Sequence, residues 1–315
     1  MDQSALSSRA VVGMYYEALA AAAGTGWVSK VANYFGSDQA SENYPWLGMP
    51  PAMREWVGGR QAKGMSTNSV TIANKHFEAT MEIALKDLRR DKTPQIQARL
   101  AEFAQRGSAH FASLLSTLIL NGGSTVCYDG QYFFDTDHSE GASGTLDNDI
   151  TTDISAVAAE VHGVVTAPSK EEMMHAIVKS VSQFFTFTDD QGEPINEDAK
   201  SFLVMVPVGL FPAASSALST TNISGPGMFS FDGFTVELAV NPRLTAGGFT
   251  DEFVTFRTDG SIKPLIAQEE TVPAIKVKDE NSEFAFDNAA IQVGFDSWRN
   301  AGYGRWQGAV LNTLV

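Results

Sequence analysis

Several features that would place this chain in a familiar class are missing. Cys127 is the only cysteine among 315 residues, so an internal disulfide framework is excluded. No run of about 18 apolar residues occurs, so no transmembrane helix is expected. The N-terminus, Met1-Asp2-Gln3, lacks the basic and apolar regions of a signal peptide. The chain is therefore expected to fold in a reducing cytoplasm, without a membrane partner.

Basic residues are scarce. The chain has 22 Lys and Arg against 37 Asp and Glu, which gives a net charge of −15 and a pI near 4.7. Nucleic-acid binding by counterion release needs clustered basic residues, so this composition does not favour it. The segment from Arg54 to Arg106 differs, with ten basic and six acidic residues. It could dock against acidic surfaces of identical neighbours or simply solvate a helix face, and charge alone leaves both interpretations open.

Motifs that carry chemistry are also absent. Neither a GxxxxGK[ST] phosphate loop nor a GxSxG nucleophile elbow occurs, and no GxGxxG opens a helix after a strand. Asp135, Asp137 and His138 bring possible metal ligands close together, so a metal-dependent hydrolase is kept as an alternative. The simpler interpretation is that these residues form a turn. We therefore expect no enzyme activity, no cofactor and no metal.

The stretch from Trp46 to Arg60, WLGMPPAMREWVGGR, is the most informative part of the chain. Its Pro-Pro and Gly-Gly pairs exclude a continuous helix or a central strand, which predicts an irregular surface excursion. Trp and Met are costly to leave in water, so such an excursion is typical of a protein–protein interface. Trp46 and Trp56 are the predicted anchors. The full set of predicted interface residues is Trp46, Met49, Met53, Arg54, Glu55, Trp56 and Arg60.

Apolar spacing predicts a mixed α+β fold. Residues 69–83 alternate between apolar and polar about a turn at Asn74-Lys75, which predicts a two-stranded ribbon that needs a surface to pack on. Apolar residues from Thr93 to Asn121 recur every three or four positions. They predict one helix of roughly 40 Å, which could serve as a structural backbone.

Three local signals add to this picture. Ser169 and Glu172 form a capping box at the start of another helix. The apolar run from Phe202 to Pro207 predicts a buried strand. Near the C-terminus, Tyr303 and Trp306 are expected to pack in a core.

Four motifs together resemble the major head subunit family of Mu-like phages. They are WLGMPPAMREWVGGR (46–60), ANKHFEATMEI with KDL (73–83 and 86–88), CYDGQYFFDTDH (127–138) and AGYGRWQ (301–307). The resemblance covers most of the chain and is clearest from Tyr44 to His138. It implies the major-capsid fold shared by tailed phages and herpesviruses.

The resemblance also implies a division of the chain. Residues 1–45 would form an N-terminal arm, 46–85 an E-loop, and 86–200 a P-domain whose spine helix spans 93–121. Residues 201–283 would form the A-domain, and 284–315 would return to the P-domain. With this division, Tyr303 and Trp306 would close the P-domain core.

The implied role is a major capsid protein of the virion, assembled in the host cytoplasm. It would form pentamers and hexamers of an icosahedral head enclosing double-stranded DNA, without sequence-specific binding to that DNA. A separate scaffolding protein and a portal are the expected partners, and the presence of a decoration protein is left open. Another ring-forming or tube-forming virion protein is the second interpretation.

Overall fold

A computed structural model describes residues 8–21, 26–45, 58, 69–90, 95–219, 228–231 and 233–315. No helix in these residues is both long enough and apolar enough to cross a lipid bilayer. The α-helices within them are α1 (Ser8–Ala21), α2 (Val28–Val31), α3 (Leu85–Arg90), α4 (Gln95–Ser108), α5 (His110–Leu120), α6 (Lys170–Phe184), α7 (Phe211–Ser219), α8 (Pro242–Ala246) and α9 (Glu283–Asn288).

The strands of the described residues form three sheets, of five, six and two strands. Helices and strands are both abundant, which agrees with the predicted α+β class. The strands are β1 (Ala32–Gly36), β2 (Ser41–Tyr44), β3 (Val70–Ala73), β4 (Lys75–Ala84), β5 (Asp149–Thr152), β6 (Ser201–Val206), β7 (Met228–Phe231), β8 (Phe234–Val240), β9 (Glu252–Arg257), β10 (Leu265–Glu269), β11 (Ala274–Lys278), β12 (Ala290–Tyr303) and β13 (Ala309–Leu314).

The five-stranded sheet is organised by β12, which runs antiparallel to β4 along residues 290–299. Strand β10 pairs with the C-terminal end of β12 and β11 with its first half, while β1 runs parallel to β10. Burial alternates along β4, as expected for a strand with one covered face, and Ile291 and Val293 of β12 are buried on the same side. That face contributes to a small core, which consists of Val11, Ile83, Leu88, Ile96, Leu100, Ile291 and Val293.

The six-stranded sheet has the order β5-β13-β9-β6-β8-β7. Its strand β6 pairs in parallel with β8 and antiparallel with β9, and every residue from Phe202 to Val206 is buried. The apolar run predicted to be a buried strand is therefore confirmed. These residues belong to a large core that includes α5 and the inner side of α6 and extends to β1 and β10.

Two further local predictions are confirmed. The Ser169 hydroxyl accepts a hydrogen bond from the Glu172 backbone N–H, and the Glu172 carboxylate accepts one from the Ser169 N–H, which completes the capping box of α6. Tyr303 and Trp306 are both buried in the large core. The Tyr303 hydroxyl also donates a hydrogen bond to the carbonyl oxygen of Leu118, 2.8 Å away.

The single helix predicted from Thr93 to Asn121 is wrong in one respect. Within the described residues the segment forms two helices, α4 and α5, separated at Ala109, whose ψ of 0° departs from helical geometry. Leu100 on α4 is buried in the small core, whereas Leu115 on α5 is buried in the large core. The break lets each half face its own core. Residues 93 and 94 lie outside the described residues.

The ribbon predicted at 69–83 is also wrong in its pairing. Strands β3 and β4 flank Asn74, but they do not pair with each other. Instead, β3 pairs with β2, and β4 pairs with β12. The alternation identified the strands correctly, but their partners come from distant parts of the chain.

The sheets cross the predicted domain boundaries. Strand β10, from the predicted A-domain, lies in the five-stranded sheet, whereas the C-terminal β13 lies in the six-stranded sheet. Strands β1 and β2, from the predicted arm, join the five-stranded and two-stranded sheets, respectively. The division into arm, E-loop, P-domain and A-domain stays a prediction.

Candidate subunit interface

The residues predicted to form a subunit interface all lie between β2 and β3, outside the described residues. They are Trp46, Met49, Met53, Arg54, Glu55, Trp56 and Arg60. Their role at an interface stays a prediction. The strands on either side are described, so the structure defines the base from which this excursion leaves and to which it returns.

That base is the antiparallel pair of β2 and β3, in register from Ser41 opposite Ala73 to Tyr44 opposite Val70. Two strands alone are marginally stable in water, so the pair depends on what lies beneath it. Ile72 is buried and packs directly on Gly302 of β12. A Cβ atom at residue 302 would come within 2.4 Å of the Ile72 side chain, so this contact requires glycine.

A buried hydrogen-bond chain fixes the same base. The Tyr44 hydroxyl donates to Oε1 of Gln268 at 2.7 Å, and Nε2 of Gln268 donates to Oδ1 of Asn74 at 2.7 Å. Burial, together with the negative charge of Glu42, raises the pKa of Tyr44 to about 12. The hydroxyl therefore stays protonated at neutral pH and keeps donating. The base of the excursion is thus anchored to the five-stranded sheet by both packing and polar contacts.

The face of the five-stranded sheet that points away from the small core is covered by Ile72 of β3 at Gly302 but leaves Trp298 partly exposed. Trp298 is 42% exposed and stacks on the His76 ring, with 4.7 Å between ring centroids. Beside them, the Asp296 carboxylate accepts hydrogen bonds from Lys276, at 2.6 Å, and from His76, at 3.0 Å. These bonds lower the pKa of Asp296. Trp298 is thus held on this face next to a cluster of paired charges.

Other large apolar side chains are exposed in the described residues. Isolated exposed apolar residues are normal on a protein surface, so they indicate a contact only where further features accompany them. The most exposed examples are Phe286, Val161, Val272 and Val164.

Asp135, Asp137 and His138, the possible metal ligands of the hydrolase alternative, do not form a ligand cluster. His138 is fully buried, with Nδ1 2.6 Å from Oδ2 of Asp129 and Nε2 3.2 Å from Oδ1 of Asn148. Asp135 instead accepts the backbone N–H of Tyr132 at 3.2 Å, and Asp137 accepts from the side chain of Gln131 at 2.7 Å. Both carboxylates therefore act as turn formers, and the site required by the hydrolase alternative is not assembled.

Cys127, Asp129 and His138 do form a cluster of potential ligand atoms, all within 4.8 Å of one another. The Cys127 thiol donates to Oδ1 of Asp129 at 3.0 Å, and His138 stacks on Trp306 with ring centroids 3.9 Å apart. Burial raises the pKa of Cys127 far above its usual range, so the thiol is not reactive. These groups satisfy one another's hydrogen bonds. The cluster therefore ties the loop after α5 to the large core.

Sequence reasoning identified His138 but missed both of its partners. Asp129 precedes Gly130, whose φ of +95° suits a tight turn, so its position suggests a turn and not a buried partner for histidine. Asn148 follows a loop rich in Gly and Ser and gave no signal of burial, yet its Nδ2 donates to the carbonyl oxygens of Phe133 and Ala309. Both contacts depend on the folded path of the loop.

Comparison with known proteins gives a consistent picture. The family described as Mu-like prophage major head subunit gpT matches residues 7–163 and 243–313, well over half of the chain. The Mu-like prophage FluMu major head subunit of Haemophilus influenzae is 31% identical over 139 residues, which is 44% of this chain and 44% of that protein. The major capsid protein of Escherichia phage Mu is 34% identical over 110 residues, 35% of this chain and 36% of that protein. The chain thus matches less than half the length of these relatives.

Among solved structures, the procapsid of bacteriophage JBD30 contains a similar chain. The TM-score is 0.55 at 23% identity, and the match covers 96% of this chain and 72% of that one. This similarity confirms the predicted fold, that of phage major capsid proteins.

Proposed function

This chain belongs to the Mu-like major head subunit family, and from that membership we propose that it is a major capsid protein, which builds a phage head from copies of itself. The observation that carries the proposal is the family match over residues 7–163 and 243–313, in a chain with the phage capsid fold. The role is structural and places the protein in the virion.

The proposed assembly consists of pentamers and hexamers that close an icosahedral shell around double-stranded DNA. Contacts between two different patches of the same chain generate rings when the rotation between copies closes, and rings that tile generate shells. The anchored β2–β3 base supports this proposal, because the predicted interface segment 46–60 lies between these two strands in the sequence. The net charge of −15 suits a container that does not bind its DNA tightly.

Further partners are part of the same proposal. We expect assembly in the host cytoplasm with a separate scaffolding protein and a portal, whereas a decoration protein is an open alternative. The excursion would reach a neighbouring subunit, with Trp46 and Trp56 as its anchors and Arg54, Glu55 and Arg60 as charged partners.

Electron microscopy tests the proposal directly. Negative staining of the recombinant protein, alone and co-expressed with the genes that neighbour it in its genome, should show closed shells or rings. A monodisperse monomer under both conditions would contradict the proposed function.

A single substitution tests the role of the excursion. Trp56→Ala should leave a folded subunit that forms no shells, because it removes a predicted anchor of the interface. Electron microscopy and a thermal melt of the same sample check both halves of this prediction. The matched control is Trp306→Ala, which truncates a buried Trp and should lower the melting temperature. Unfolded Trp56→Ala protein, or normal shells from it, would remove the excursion from the interface.

A further inference from the structure

Two short helices lie at the same end of the five-stranded sheet. Helix α3 follows the last residue of β4 directly, and α9 ends two residues before β12 begins. Ala84 is paired with Ala290, and the Leu85 N–H donates to the carbonyl oxygen of Ala289 at 2.9 Å. The two helices therefore flank one end of the β4–β12 pair, which we call the sheet corner.

The two helices of the sheet corner carry opposite charge. Helix α3 contains one acidic residue, Asp87, and exposes three basic side chains: Lys86, Arg89 and Arg90. Helix α9 contains no basic residue and exposes two acidic side chains: Glu283 and Asp287. The ion pairs formed within the described residues involve none of these five charged side chains. Helix α9 thus presents only acidic charge to solvent, whereas α3 exposes three basic side chains and the single acidic Asp87, a net positive charge.

An apolar side chain accompanies the acidic patch. Phe286 is 91% exposed, the highest value among the large apolar side chains of the described residues. It lies three residues after Glu283 and one before Asp287, and residues three or four apart share a helix face. An exposed aromatic side chain with charged residues around it is typical of a surface that binds another protein.

We propose that α9 of one subunit docks against α3 of the next copy, with Phe286 buried at the centre of the contact and the carboxylates of α9 facing the basic side chains of α3. This inference rests on the proposed function, and it names a contact within the shell. A second copy is the partner that fits, because every copy carries the complementary patch. Both patches lie at one corner, so the contact would repeat about an axis near that corner and close a ring when the rotation between copies closes.

The sheet corner is distant from the β2–β3 base. The ten residues of β4 extend from Lys75, next to that base, to Ala84 at the sheet corner. At about 3.3 Å per residue, they place the base and the corner roughly 30 Å apart. Substitutions at the corner therefore leave the base unchanged.

Charge reversal in the full-length chain tests the sheet corner. One variant combines Arg89→Glu with Arg90→Glu, a second combines Glu283→Lys with Asp287→Lys, and a third carries all four changes. A matched control, Lys200→Glu with Arg243→Glu, reverses two exposed positive charges near the six-stranded sheet. Shell yield is measured by sedimentation and electron microscopy, and folding by thermal melting.

Each one-sided reversal should leave the melting temperature unchanged and lower shell yield by about tenfold or more, because like charges then face each other across the contact. The four-fold variant should recover shells, and the control should assemble as the wild type does. Normal shells from both one-sided variants, or no recovery in the four-fold variant, would overturn the contact and leave the proposed function intact. A wild-type protein that forms no oligomer would overturn both.

Discussion

The two hydrophobic cores are enclosed in different ways. The large core surrounds β6, whose residues from Phe202 to Val206 are buried on both faces of the sheet. The small core lies under one face of β4 and β12, and on the opposite face Trp298 is partly exposed beside its charged neighbours. The central strand of the large core is thus covered on both faces by its own chain, whereas the sheet over the small core is only partly covered. We expect the first region to hold the subunit together and the second to offer surface for contacts with other copies.

Matched truncations in the two cores should show the largest difference. Leu115 on α5 and Leu100 on α4 are both fully buried, the first in the large core and the second in the small core. We expect Leu115→Ala to lower the free energy of unfolding by roughly 4 kcal/mol and Leu100→Ala by roughly 2–3 kcal/mol, because the smaller cluster can relax around the cavity. Urea unfolding of the subunit measures both, and equal losses would show that the small core is as tightly constrained as the large one.

The buried Asp129–His138 pair should give the next largest effect. Burial opposes ionisation of Asp129, but hydrogen bonds from His138 and Cys127 outweigh it and lower the pKa of this carboxyl. Its contribution to stability is therefore present above about pH 4 and is lost as the pH falls through the lowered pKa. Asp129→Asn should cost about 2–3 kcal/mol at pH 7, and the difference from the wild type should shrink in acid.

Urea unfolding at pH 7 and in acid measures this dependence. Asp135→Asn serves as the control, because Asp135 only accepts backbone N–H groups of its own turn. A loss for Asp129→Asn that is equal at both pH values would show that the carboxylate acts through its shape and not through its charge.

Features that depend on residues close together in the sequence were predicted correctly, whereas features that depend on distant residues were not. The capping box at Ser169 and the burial of Phe202 to Val206 depend on neighbouring residues, and both were predicted correctly. Strand pairing is not local. A turn-like Asn74-Lys75 between alternating segments favoured a hairpin, but β3 pairs with β2 and β4 pairs with β12, so neither strand pairs with the other.

The break at Ala109 could not be predicted from the sequence, because apolar residues keep their helical spacing from α4 into α5. Only the core in which they are buried changes. For the candidate interface, composition identified a segment that departs from an anchored base. The contribution of each residue in 46–60 stays a prediction. The sequence does not indicate that α3 and α9 are neighbours, because they are about 200 positions apart. The pairing of β4 with β12 brings the two oppositely charged helices to the same end of the sheet.

The smallest expected effect concerns the open face of the five-stranded sheet. Trp298→Ala should change the free energy of unfolding of the isolated subunit by no more than about 1 kcal/mol, because the side chain is partly in water and loses mainly its stack on His76. Urea unfolding measures the free energy of unfolding of this variant and of Leu100→Ala, which creates a cavity on the covered face of the same sheet. A loss as large as that of Leu100→Ala would mean that this face is already covered within one subunit. The contrast between an enclosed core and a contact-bearing sheet would then have to be abandoned.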